Sequence, residues 1–359
     1  MREVGLSFNA DKMVARQPRL RAILNDTTLL APYTAQVIQH SSYNAGTYSL
    51  LVPLNGQTVP TAEDWSNMNR ARLRIQVSLH QHEPYVDLIE GFIDTIQINL
   101  AGGSVNLAGR DLSSLFLSHK TPIDFQNLSS SEIVSLLAIK HGLNPIMINT
   151  ADYSGRYYAN NKNVTALTQF AKLSSDWDIL VALAQASGFD VFVVGRSLYF
   201  QPPVTLADTA QTIHTSDLTD LRMYKSLPHS NGTTVTITSW NSARGLVVSE
   251  SKGAGPPGGP TAASAGSASS YTAFRPNLLS SDAQMLANQI VQSITGDAMA
   301  IQIVMPGDML LSPRRPIRLE GSGTAFDRTY KIESIARVFR ANSGFTQSVR
   351  ARLLAESLP

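Results

Sequence analysis

LIEGFIDTIQINLAGGSVNLAGRD, residues 88–111, is the stretch whose reading decides the fold. Two short runs flank a turn at Ala101-Gly102-Gly103, and apolar residues recur at Ile93, then Ile96, Ile98 and Leu100. A spacing of two marks a half-buried strand, because successive strand side chains point to opposite faces. A helix would space them by three or four. Far down the chain, RLEGSGTAFDRTYKIESIARVFRANSGFTQSVRARLL (318–354) repeats the plan. Leu319-Glu320-Gly321 comes first, KIESI (331–335) answers FIDTI (92–96), and a glycine turn leads to a last strand. A strand unit duplicated within one chain predicts two related β-domains with other material inserted.

Bulk composition narrows the function classes. At 359 residues the chain exceeds a usual single core, so two to four domains are expected. Lys+Arg 29 against Asp+Glu 27 leaves a net charge of +2, without the strong basic excess of a nucleic-acid binder. There are no cysteines, which excludes disulfides, thiolate nucleophiles and cysteine-based metal sites. MREVGLSFNADK lacks the apolar segment of a signal peptide, and nowhere do eighteen apolar residues run together. The expectation is a soluble chain made in the cytoplasm, with no stable membrane insertion.

Residues 19–52 read as two or three strands around a Tyr43-Asn44-Ala45-Gly46 turn. ARLRIQVSLH (71–80) alternates strictly, with Leu73, Ile75, Val77 and Leu79 on one face. With 88–111 this predicts an antiparallel first domain, 1–111, of five to seven strands and no helix. A closed or nearly closed barrel is its expected packing, since closure removes exposed edges.

From 112 the period changes. Ser129 and Glu132 form a capping-box pair before IVSLLAIKH, and Gly142 stands where that helix should end. Ser175 and Asp178 open a second helix that runs to Gly188, and Ile133, Leu137, Ala138, Gly142 and Leu143 recur 46 residues later as Ile179, Leu183, Ala184, Gly188 and Phe189. FDVFVVGRSLYFQPP then reads as a hairpin turning at Gly195-Arg196. Residues 112–205 are expected to form an inserted α/β domain. A second barrel is expected from 206–251 and 299–359, the first part supplying strands TTVTITSW (233–240) and GLVVSES (245–251). Between them, 252–298 reads as an insertion, an uncharged Gly/Pro/Ala/Ser linker and a helix capped by Ser281 and Gln284 with a Leu286, Ile290, Ile294 stripe.

Little in the chain points to chemistry. His80-Gln81-His82-Glu83 puts two imidazoles on one face of a strand, but nothing at a recognisable spacing completes a metal site. Glu90, Asp94, Asp111, Asp176 and Asp178 are candidates for a carboxylate pair. Asp176 and Asp178 lie in a helix's first turn, where the dipole favours carboxylates, and Glu90 and Asp94 recur as Glu320 and Glu333, which marks repeated structural positions. GAGPPGG lacks the GK[ST] of a phosphate loop, and its prolines remove amide donors. Arg314-Arg315-Pro316-Ile317-Arg318 is the strongest charge cluster, read as a solvated strand entry or as a contact to an acidic partner or DNA phosphate. No catalytic, cofactor-binding or metal residue is assigned, and no cofactor is expected.

AQVIQHSSYNAGTYSLLVPL, FIDTIQINLAGGSVNLAGRDLSSLFL, the two helical segments SSSEIVSLLAIKHGLNP and SDWDILVALAQASGFDVFVVGRSLYFQPP, and MPGDMLLSPRRPIRLEGSGTAFDRTYKIESIARVFRANSGFTQSVRARLL follow one another in a recognisable order. In this the chain resembles the baseplate hub family of contractile-tailed phages, which includes late control protein D and the N-terminal part of the type VI secretion protein VgrG. The resemblance spans almost the whole chain and carries no catalytic motif. It implies a mainly β fold with α/β insertions. Two similar tube-forming antiparallel β-barrel domains would assemble as a homotrimeric, pseudo-sixfold ring that adapts a sixfold tail tube to a threefold spike.

The implied partners are further copies of the chain, the spike or puncturing protein, the tail tube or tube-initiator protein, the tape measure protein and baseplate wedge proteins, with transient passage of DNA through the lumen. The implied location is the virion's tail baseplate. The chain ends soon after its second barrel, so the spike is expected on a separate chain. A tail-associated cell-wall hydrolase would need a converging acid/base or metal set. A receptor-binding tail-tip module would need clustered aromatics, whereas Trp65, Trp177 and Trp240 are scattered.

Overall fold

The computed structural model describes residues 17–54, 60–80, 83–120, 125, 128–150, 153–154, 175–230, 233–241, 246–254, 269–275, 278 and 280–354. The first region contains β1 (Arg19–Leu24), β2 (Thr28–Leu30), β3 (Thr34–His40), β4 (Thr47–Pro53), helix α1 (Ala62–Ser66), β5 (Arg72–Ser78), β6 (Val86–Asn99) and β7 (Ser104–Asp111). Alternation does what the sequence predicts. Leu73, Ile75 and Val77 are buried on β5, and Val105 and Leu107 on β7, in one core with Ala22, Leu50 and Val52. The absence of a helix is corrected by α1. Thr61 and Asp64 close a capping box around it, and its Trp65 is buried in the same core. Five residues are too few for a 3.6-residue period to show.

An insert follows: α2 (Ser114–Leu117), β8 (Leu128–Ser129), α3 (Ser130–Lys140), β9 (Asn144–Met147), β10 (Tyr153–Ser154), α4 (Asp176–Ser187), β11 (Asp190–Val194) and β12 (Ser197–Gln201). The helical echo holds in three dimensions. Ser129–Glu132 and Ser175–Asp178 both form capping boxes, and Gly142 and Gly188 both take left-handed backbone after the helix. Ile133, Leu137 and Ala138 are buried, as are Ile179, Leu183 and Ala184, and they share a core with Phe116, Trp177 and Phe200.

The remaining elements are β13 (Gln211–His214), β14 (Asp220–Lys225), α5 (Leu227–Ser230), β15 (Thr233–Asn241), β16 (Leu246–Ala254), β17 (Ser269–Phe274), α6 (Ser280–Gly296), β18 (Met299–Pro306), β19 (Pro316–Glu320), β20 (Thr329–Arg340) and β21 (Gly344–Leu353). One sheet runs β2-β1-β5-β6-β7-β4-β3-β20-β21-β18-β14, and β19 bridges β20 to β13. Its two halves share a plan. The order β3-β4-β7-β6-β5 in one recurs as β14-β18-β21-β20-β19 in the other, and β6 and β20 each carry a bulge, at Asp94 and at Glu333.

Beyond its bulge β20 changes neighbour. Pro316–Arg318 of β19 pair with its first half, and Ser334–Arg340 pair with Thr34–His40 of β3. That exchange stitches the two halves into one sheet. The expected closed barrels are not seen: among the described residues no pairing joins β2 to β3 or β13 to β14, so each half ends in an open edge. Only three residues form β2, and β13 lies parallel to β19 rather than antiparallel.

A further correction concerns 233–251. Its strands do not enter the large sheet but form a separate one, β16-β15-β17, packed on α6. Val235 and Ile237 meet Ala283, Ala287 and Val291 there, while Leu286, Ile290 and Ile294 pack only at the margin of that core. The small residues let the helix approach the sheet closely, and a scan for large apolar residues selects the neighbouring stripe instead. The helix begins at Ser280, and Gln284 donates to Glu250 on β16 at 3.1 Å.

Candidate functional site

Each carboxylate singled out in the sequence holds a structural contact. Glu90, buried on β6, accepts from Arg196 Nε at 2.9 Å and lies 3.5 Å from Arg72. Asp94 accepts from Arg110 Nε at 2.7 Å and Nη2 at 3.1 Å. Asp111 accepts from the backbone N–H of Gly46 at 2.7 Å and of Ser113 at 3.0 Å, and from the Ser113 hydroxyl. Burial still pushes its carboxyl up to about 6 against these hydrogen bonds. Asp176 lies 2.9 Å from His141 Nε2 and 3.5 Å from Lys140, and Asp178 closes its helix cap. In the second half Glu333, which answers Asp94, accepts from Arg350 at 3.2 Å and Arg352 at 2.6 Å. Glu320 accepts from Arg318 at 2.8 Å but lies on β19 and does not answer Glu90, whose counterpart on β20 is Thr329.

His80 sits 3.8 Å from Glu83, and His82 lies outside the described residues. Among the described residues no group of three or more His, Asp or Glu is placed to hold a metal ion. Of GAGPPGG only Gly253 and Ala254 are described, at the end of β16. The arginine cluster splits up. Arg314 turns inward to Asp190 at 2.9 Å and stacks over Phe192, while Arg318 pairs along its own strand with Glu320.

What sequence reasoning missed is a cleft of about 1070 Å³ where the insert, α6 and both halves of the sheet meet. Its walls come from the Ser41–Asn44 turn, the end of α4, residues 203–207, one face of α6, and β20 and β21. Asp190 is buried at its edge and accepts from Arg314 and from Lys331 at 3.0 Å, tying the insert to the second half. Tyr43, at φ 63°, donates its hydroxyl to the Phe189 carbonyl at 2.7 Å and accepts through its own carbonyl from Trp177 Nε1 at 2.9 Å. Burial first, and then Asp190, push the Tyr43 hydroxyl up to about 12, so it stays a neutral donor. These residues are scattered through the sequence, and no local motif announces them. Acids and bases in the cleft wall pair with one another, which suits a joint between parts better than catalysis.

Among the described residues, the second half of β6 and the whole of β14 are each paired on one side only. On β6, pairing with β5 stops at Phe92, so from Thr95 to Asn99 only β7 is bonded. On β14, β18 is the sole strand neighbour among the described residues.

No protein-family model matches the sequence, and no curated protein does. Solved structures do match. A tail protein from Neisseria meningitidis MC58 aligns over 94% of this chain and 96% of its own, with TM-score 0.63 and 11% identity. The 43 kDa tail protein of prophage MuSo2 from Shewanella oneidensis aligns over 93% and 98%, with TM-score 0.66 and 11% identity. An E. coli type VI secretion component, described as similar to bacteriophage T4 tail proteins, aligns over 96% and 76%, with TM-score 0.54 and 9% identity. The chain therefore has the fold of phage tail and type VI secretion proteins.

Proposed function

We propose that this chain is the central hub of a phage or phage-like contractile tail baseplate, a homotrimeric ring that adapts a sixfold tail tube to a threefold spike. The observation that supports it most is the duplication inside one sheet, with β3-β4-β7-β6-β5 answered by β14-β18-β21-β20-β19. Two like units per chain give three chains six like units, which is the arithmetic of a joint between threefold and sixfold partners. The fold shared with phage tail and secretion proteins agrees with that role.

On this reading 1–111 and 299–359, with β13 and β14, build the two ring units, and 112–205 is an inserted domain. The unit containing β15, β16, β17 and α6 is a second insertion. One ring face meets tube or tube-initiator protein and the other the spike, wedge proteins contact the outside, and the lumen holds the tape measure and passes DNA. The role is structural, not enzymatic.

Native mass spectrometry of the chain, alone and mixed with tube and spike proteins, tests the proposal. A trimer is expected. A chain that stays monomeric with its spike present would overturn it, as would cell-wall lysis in a zymogram that one carboxylate substitution abolishes.

A further inference from the structure

The one-sided stretches of β6 and β14 are related by the internal duplication. Leu107 on β7 stands opposite Leu50 of β4 and Ile96 of β6, as Val349 on β21 stands opposite Ile303 of β18 and Ile335 of β20. Ala35 of β3 is opposite Leu50, as Leu221 of β14 is opposite Ile303. These pairings fix the correspondence residue by residue. β14 is the counterpart of β3, and the second half of β6 is the counterpart of the second half of β20.

In the first half of the sheet the outer edge of β3 is covered by β20, with Ile38 opposite Ala336, Val37 opposite Arg337 and Ala35 opposite Phe339. Among the described residues the corresponding edge of β14 has no strand on it, and the β6 segment corresponding to the covering strand has no strand to cover. The side chains record the difference. Val37 is 1% exposed while its counterpart Met223 is 40% exposed, and Phe339 is 7% exposed while its counterpart Leu100 is 73% exposed.

We infer that β6 of one chain pairs antiparallel with β14 of the next, repeating between chains the contact that β20 makes with β3 within one. The inference rests on the ring reading and supplies its interface. Transferring the internal register sets Gln97 opposite Tyr224, Ile98 opposite Met223 and Leu100 opposite Leu221. Core-facing residues then meet core-facing residues, as a strand pair requires, because a slip by one residue would turn each side chain to the wrong face. The pairing covers Leu100, Met223 and Tyr224, three of the large apolar side chains the single chain leaves in water. It also occupies two edges that would otherwise invite uncontrolled strand addition. Because the joined edges differ, the contact is head-to-tail and propagates until a ring closes.

Disulfide trapping tests this cleanly, since the chain has no cysteine of its own. Gln97→Cys with Tyr224→Cys should yield covalent dimers and trimers on mild oxidation. Mixing the two single variants should stop at dimers. A pair shifted by two residues, Gln97→Cys with Arg222→Cys, should cross-link at least tenfold less. Leu100→Glu and Met223→Glu, at exposed positions, should weaken assembly at least tenfold with the chain's own near-UV dichroism unchanged. A trimer in which the in-register pair cross-links no better than the shifted pair would overturn this interface and leave the hub reading standing. A chain that forms no assembly in any mixture would overturn both.

Discussion

Asp94 and Glu333 occupy the same place in two copies of one strand unit, and each holds the arginine that follows it across the hairpin. Asp94 accepts from Arg110 Nε at 2.7 Å, and Glu333 accepts from Arg352 Nε at 2.6 Å. Each acid is the extra residue of a bulge, between Ile93 and Thr95 or between Ile332 and Ser334. A bulge bends its strand and leaves one residue unpaired, which allows a long strand to exchange one neighbour for another. That exchange, from β19 to β3, joins the two halves into one sheet.

The bulge matters more than the ion pair. Asp94 and Arg110 are both more than a third exposed, so Asp94→Ala should cost about 0.2–1 kcal/mol in urea unfolding. Deleting Asp94 leaves Ile93, Ile96 and Ile98 on one face but should cost more, because it removes the bend that the bulge gives β6. Equal behaviour of the two variants in a solubility and unfolding comparison would refute this account.

Gly91 stands where β6 passes close to the backbone of β7. A Cβ there would lie 1.9 Å from the Arg110 carbonyl oxygen, whereas a Cβ on Gly102 meets only the flexible side chain of Asn99 at 2.6 Å. Gly91→Ala should therefore destabilise by about 3 kcal/mol or more. Gly102→Ala should be tolerated to within about 1 kcal/mol. Thermal melts of the two variants side by side decide it.

Asp190 holds the insert against the second half of the sheet. Asp190→Ala leaves Arg314 and Lys331 without their shared carboxylate, and a loss of about 3–5 kcal/mol is expected. Limited proteolysis should then cut near the 202–210 connection faster than in the parent chain. Unchanged cleavage would argue that the joint is held elsewhere.

Asp111 gives a pH signature. Its folded carboxyl is raised to about 6, above the ordinary value of about 3.9, so the folded chain binds more protons than the unfolded chain between those values. Its contribution to stability is present below about pH 4, is lost as pH rises towards 6, and stays lost above. Measured as parent minus Asp111→Asn, unfolding free energy should fall by about 2 kcal/mol from pH 4 to pH 6. A flat or rising difference would place the titration elsewhere.

Local signals were legible. Ser129 with Glu132 and Ser175 with Asp178 announced two helices, and Gly142 and Gly188 ended them, because caps act within one turn of backbone. Alternation on β5 announced its buried face, because a strand's side-chain period is fixed. Helix α1 was missed although Thr61-x-x-Asp64 was in view, since five residues carry no period. The strands at 233–251 were recognised as strands but assigned to the wrong sheet. Alternation shows that a face is buried and not what buries it, and Ala283 and Ala287 are too small to advertise the helix that does.

By itself the sequence determined the two copies of the strand unit, the echoed helices of the insert and a chemistry without cysteine. All of these are carried by neighbouring residues or by like segments repeated in order. Only the tertiary structure decided that β20 leaves β19 for β3, that Arg314 turns inward to Asp190 rather than outward, and that among the described residues β14 and the second half of β6 are paired on one side only. Those outcomes depend on which distant segments compete for the same backbone hydrogen bonds and the same buried charge. That competition is settled by packing in three dimensions.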